Sequence, residues 1–127
     1  MKKIKFLFVL ATIMLLTFSL IVAAEADDTD FEIVMVVKLE GVAWFDNMRL
    51  GVEEFAKETG VNAYQIGAAT ADPASQIALI EDLIAKKVDA IIVVPNDPVA
   101  LEPVFKKAND AGILTFTHEA SNQKQVT

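Results

Sequence analysis

DAIIVVPNDPVALEPVFKKANDAGI, residues Asp89 to Ile113, holds one complete unit of the fold. Ala90 to Val94 is a short β-branched run with no polar interruption, the composition of a strand covered on both faces. Pro95, Asn96, Asp97 and Pro98 then break the pattern as a loop, with Asp97 placed to cap the helix that follows. Leu101, Val104, Phe105 and Ala108 return at three- and four-residue steps, which marks the apolar side of an amphipathic helix. Gly112 closes it, and Ile113 to Phe116 opens the next apolar run. Strand, helix and strand of this length predict a crossover between parallel neighbours.

The same rhythm extends upstream. Asp72 and Pro73 open a second helix, as a capping carboxylate and a first-turn proline, and Ile77, Ile80 and Ile84, flanked by Leu79 and Leu83, give it a buried stripe. A weaker strand spans Val61 to Ile66. Before it, Phe45, Met48, Val52 and Phe55 form the stripe of an earlier helix, whose other side carries Arg49, Glu53, Glu54, Lys57 and Glu58 and which Gly60 terminates. Phe31 to Val37 (FEIVMVV) is the first strand. The whole reads as an α/β domain with a parallel sheet in the order β-α-β-α-β-α-β and right-handed crossovers. After Phe116 the chain turns polar and stops, which predicts an incomplete domain.

The chain has 127 residues. Lys2, Lys3 and Lys5 precede an uncharged run from Phe6 to Val22, and Val22, Ala23 and Ala24 are small residues of the kind found at a cleavage site. Residues 1–24 therefore read as a secretory signal peptide and residues 25–30 as an acidic leader, ahead of a domain spanning 31–127. A permanent membrane anchor is the competing reading of the apolar run. The absence of cysteine excludes a lipid-anchored leader and any disulfide, so a freely diffusing periplasmic protein is expected. Three of the eleven basic residues fall in the signal peptide and all eighteen carboxylates lie beyond it, which leaves the exported part at a net charge of −10. Such a surface argues against nucleic acid or anionic lipid as a partner.

In an open parallel sheet, ligands sit beyond the carboxyl ends of the strands. That rule selects Lys38 to Phe45, Gly67 to Asp72, Pro95 to Pro98, and Thr117 to Glu119. Trp44 and Phe45 stand together at a loop-to-helix junction near Lys38 and Glu40, where aromatic rings can pack on a ring-shaped ligand. Phe45 serves equally well as the first residue of the core stripe. His118 is the one histidine, suited to a polar contact or to plain surface. With no cysteine, no second histidine and no G-x-S-x-G turn, neither nucleophilic catalysis nor a metal set is indicated. The acidic leader lacks the turn glycine and ligand spacing of a calcium loop. No phosphate-binding glycine loop follows the first strand, so no nucleotide cofactor is expected.

KLEGVAWF (Lys38 to Phe45), DPASQIALIEDLI (Asp72 to Ile84) and Asp89 to Ile113 together resemble the N-terminal lobe of the periplasmic sugar-binding proteins that serve ABC importers. The order is that of the ribose-binding group, and the lysine after the first strand with its GVxxF loop is most similar to the receptors for autoinducer-2 and rhamnose. The resemblance implies a type I periplasmic binding protein fold, of which this is the first lobe only, and a solute-binding rather than enzymatic role. It implies a small sugar or polyol as ligand, ABC permease subunits as partners and no cofactor. It carries ligand contacts onto Lys38, Trp44 and Phe45, with Thr117, His118 and Glu119 after the fourth strand and weaker expectations for Glu40 and Asn96. Thr117 stands where the family usually has an aspartate, and His118 where ribose receptors often have arginine. A sensor subunit docking on a membrane receptor or kinase is the alternative to an importer component.

Overall fold

The computed structural model describes residues 31–123; the predicted signal peptide and acidic leader lie outside the described residues. Four strands and three helices alternate: β1 (Glu32–Val37), α1 (Ala43–Thr59), β2 (Asn62–Gly67), α2 (Pro73–Lys86), β3 (Ala90–Val93), α3 (Pro98–Asp110) and β4 (Leu114–Thr117). All pairings are parallel, in the spatial order β2-β1-β3-β4. The observed strands differ from the predicted ones by a residue or so at their ends.

Side chains alternate across the sheet as the strand period requires. Val34 and Val36 of β1 and Ile91 and Val93 of β3 face α2 and α3, where they pack with Ile80, Leu83, Leu101, Val104 and Phe105 into the main core. Val37 and Met35 face the other way and join Phe45 and Met48 of α1. Helix α1 thus covers one face and α2 with α3 the other. The uneven cover leaves Leu114 and Phe116 of β4 about half exposed on the α1 side, beside an apolar groove of about 280 Å³ lined by residues such as Met35, Val52, Phe55 and Ile92. Phe55, predicted as core, is 44% exposed. Its stripe is apolar as expected, but a groove rather than a neighbouring element lies against its outer side.

The helix ends follow local chemistry. The Asp72 carboxylate accepts from the Ser75 amide at 2.8 Å, and Asp97 accepts from Val99 and Ala100 at 2.9 and 3.1 Å, so both caps form as predicted. Gly60 takes the left-handed conformation that ends α1. Lys87 ends α2 at φ 61 without the freedom of glycine, which the sequence does not announce.

At the amino edge of the sheet, the Asp89 carboxylate accepts from the Glu32 amide at 2.8 Å, and the Tyr64 hydroxyl donates to the Glu32 carboxylate at 2.7 Å. Burial, then the hydrogen bond and charge of Glu32, push the Tyr64 phenol up to about 12. A phenol whose ionisation is suppressed in the folded state stabilises the fold fully below its ordinary value near 10 and loses that contribution as pH rises through about 12. The chain has one tyrosine, so phenolate absorbance reports it alone. A titration of the folded protein is expected to be displaced upward from the ordinary value, and Glu32→Gln to bring it back toward 10.

Candidate functional site

The order β2-β1-β3-β4 places a switch point between β1 and β3. The segment leaving β1 runs to α1 on one face, and the segment leaving β3 runs to α3 on the other. A crevice opens where such loops part, at the carboxyl edge, and ligands of open α/β sheets bind there.

Lys38, Asn96 and Glu119 meet at this edge. The Lys38 ammonium lies 3.7 Å from the Glu119 carboxylate, each side chain about a third exposed, so both charges remain in reach of a solute. Glu119 is held at φ 57, a left-handed conformation uncommon for a side-chain-bearing residue. The preceding His118 amide donates to Val93 O at 2.9 Å, fastening the segment after β4 to the end of β3. Asn96 donates through its side chain to Lys38 O at 3.2 Å, which ties the β3 loop to the β1 loop. Thr117 is half-buried and His118 exposed.

The two aromatics separate. Trp44, in the first turn of α1, is 58% exposed, whereas Phe45 is 7% exposed and packs with Val37 and Val94. Successive helical residues point about 100° apart, so one turns outward and the other into the core. Glu40 pairs with Arg49, and Arg49 also donates to Gln65 O at 2.8 Å, so this carboxylate braces α1 against the end of β2. Gly67 permits the close approach there: a Cβ would stand 2.8 Å from a Val37 methyl and 2.9 Å from a Glu40 oxygen.

Beside the crevice, the Asp72 carboxylate also accepts from the hydroxyls of Ser75 and Thr70 at 2.7 and 2.6 Å. Those two hydroxyls and the Ser75 amide, in that order, hold its carboxyl down to about 2 from 3.8. A depressed carboxyl stabilises the fold above its unfolded value, and that contribution is lost as pH falls from near 4 toward 2. Asp72→Asn keeps a capping side chain but removes the titration. Thermal midpoints measured across that range are expected to fall less steeply for the variant than for the parent protein.

Two polar residues with structural consequence escape the sequence reading. One is Arg49, counted only as part of a solvated face. The other is Gln76, which lies on the buried stripe with Ile80 and Leu83 and is itself fully buried. A polar residue at helical spacing from two apolar ones was the available signal.

A parallel sheet of this order, with polar side chains gathered at its switch point, defines an open α/β sheet of the kind that binds ligands at that edge. Residues 33–127 match the periplasmic binding protein domain, and the chain belongs to that family. Its architecture is that of the type I fold, represented by this part of it. The chain is similar to the ribose import binding protein of Bacillus subtilis, 28% identical over 95 residues that make up 75% of this chain and 31% of that protein. Among solved structures, a solute-binding protein of an ABC transporter from Actinobacillus succinogenes with bound D-allose is 40% identical at a TM-score of 0.64. That match covers 67% of this chain and 30% of the other. LsrB from Clostridium saccharobutylicum in complex with AI-2 is 27% identical at a TM-score of 0.66, covering 68% and 26%. The chain spans about a third or less of the length of these relatives.

Proposed function

We propose that this chain forms one wall of a sugar-binding cleft in an exported receptor that delivers its ligand to an ABC permease. The observation that carries the reading is the convergence of Lys38, Asn96 and Glu119 at the switch point between β1 and β3. An ammonium and a carboxylate side by side offer both a donor and an acceptor to the hydroxyls of a small polyol. Exposed Trp44 supplies an apolar surface for a sugar ring, and Phe45 supports it from the core. Thr117 and His118 add hydroxyl and imidazole groups on the segment that carries Glu119, and Glu40 holds the adjoining loop. Relatives bound to D-allose, D-arabinose and L-rhamnose favour a monosaccharide over a larger solute. The basic and apolar residues 1–24 are read as an export signal leading to the periplasm, and residues 25–30 as a leader ahead of the domain. No catalytic step and no cofactor is assigned.

A wall that makes only part of the contacts binds weakly, since lost translational freedom must be offset by fewer interactions. Titration of the isotope-labelled chain with D-ribose, D-allose and L-rhamnose is expected to give millimolar-range binding, on the order of −4 kcal/mol. The amide shifts should concentrate at residues 38–45, 96 and 117–119. Shifts of equal size with glycerol, or a shift pattern centred away from the carboxyl edge, would defeat the proposal.

A further inference from the structure

Beyond the last ladder bond between β1 and β3, from the Val94 amide to Val36 O at 2.9 Å, the two strands part toward opposite faces and their backbone groups lose sheet partners. Gln76, in the first turns of α2, reaches into this gap. Its side-chain amide donates to Val94 O at 2.9 Å and, at 3.4 Å, to Val37 O. Its side-chain oxygen accepts from the Asn96 amide at 2.8 Å. Asn96, held in this way, donates to Lys38 O at 3.2 Å and to Asp72 O at 3.5 Å. The ends of β1 and β3, past their last shared ladder bond, and the start of α2 are thereby joined by two amide side chains.

We infer that Gln76 is the positioning residue of the binding edge: it clasps the diverging ends of β1 and β3 and, through Asn96, sets where Lys38 stands. This inference rests on the sugar-binding reading for its functional meaning, though its geometric content stands apart from it. A glutamine is suited to the place because it donates and accepts from one rigid plane and carries no charge into a fully buried site. A carboxylate would face the carbonyl oxygens of Val37 and Val94. An apolar side chain of the same length would take this partner from the Val37 and Val94 carbonyls and from the part-buried Asn96 amide, which is the costly way to lose a hydrogen bond. A residue serving only to fill the core would need none of these contacts.

The test uses the full chain with two variants, Gln76→Met and Asn96→Ala, read by residue-resolved amide hydrogen exchange. In Gln76→Met the Asn96 amide is expected to exchange about tenfold faster or more, while core amides such as Val34 and Ile91 keep their relative protection. In Asn96→Ala, which leaves the Gln76 clasp intact, chemical-shift changes are expected at Lys38 to Gly41 and the backbone around Asp72. An exchange increase spread evenly over β1 and β3 would reduce Gln76 to a packing residue and overturn the inference. So would unaltered signals from Lys38 to Gly41 in Asn96→Ala, a result that stands even if Gln76→Met fails to fold. The second arm repeats both variants with D-allose and expects the Lys38 shift induced by the sugar to shrink at least threefold. If the parent chain shows no response to D-ribose, D-allose or L-rhamnose, the sugar reading fails while the exchange result still decides the clasp.

Discussion

Phe105→Ala is expected to remove most of the stability of the folded chain. The Phe105 ring is 1% exposed and packs in the main core with side chains that include Ile80, Leu83, Leu101 and Val104, beneath Ile91 and Val93 of the central strand. Deleting a buried phenylalanine side chain costs about 3–5 kcal/mol, the transfer of its apolar surface plus the cavity it leaves. A domain of this size holds only about 5–15 kcal/mol in all. Urea unfolding should show a midpoint shifted to a small fraction of the parent value, or no native baseline at all. Val99→Ala makes the control, since Val99 lies on the same helix but is 59% exposed, and it should change stability by less than about 0.5 kcal/mol. A loss below about 1 kcal/mol for Phe105→Ala would contradict the packing described.

Lys38→Met should do the reverse, leaving stability nearly unchanged and removing ligand recognition. The 3.7 Å pair with Glu119 is partly exposed, and such pairs contribute about 0–1 kcal/mol. On the proposed reading, the same ammonium would make a charged hydrogen bond to a sugar hydroxyl, for which about 1.5–3 kcal/mol is typical. On millimolar-range binding, a loss of tenfold or more carries the variant beyond detection. The urea midpoint and the D-allose titration, measured on one preparation, separate the two effects. Binding retained within twofold would place recognition elsewhere, and a large stability loss would make Lys38 structural.

The fold was legible because its strongest signals are local. Ala90 to Val94 and Phe31 to Val37 are continuous apolar runs, as strands covered on both faces must be, and Asp72-Pro73 and Asp97-Pro98 announce helix starts through side chains that cap within three residues. The site was legible in outline for a different reason, since the carboxyl-end rule converts strand positions into loop positions. It selected the segments Lys38 to Phe45, Gly67 to Asp72, Pro95 to Pro98 and Thr117 to Glu119, but not which of their side chains converge. What could not be read depends on partners far away in the chain. Gln76 has its meaning only once Val37, Val94 and Asn96 are gathered around it, and the Glu40–Arg49 pair only once α1 is laid over β2. Phe45 could be read equally as a ligand contact and as the first residue of the core stripe, and only its packing with Val37 and Val94 decides for the core. Phe55 looked buried because a stripe does not show how far the neighbouring cover extends.

The position of β1 in the middle of the sheet also sets a timetable. Its amino end is closed by Asp89, 57 residues later, and its inner edge is paired only when β3 is present. Until that strand is available, the strand made first has a single neighbour and its apolar side chains lack the core they are built for. Long-range pairing of this kind slows folding, because loop-closure entropy must be overcome before the contacts reward it. A growing chain would therefore stay loosely structured until β3, at Ala90–Val93, has been made, and its first strand would spend that interval with apolar side chains open to solvent.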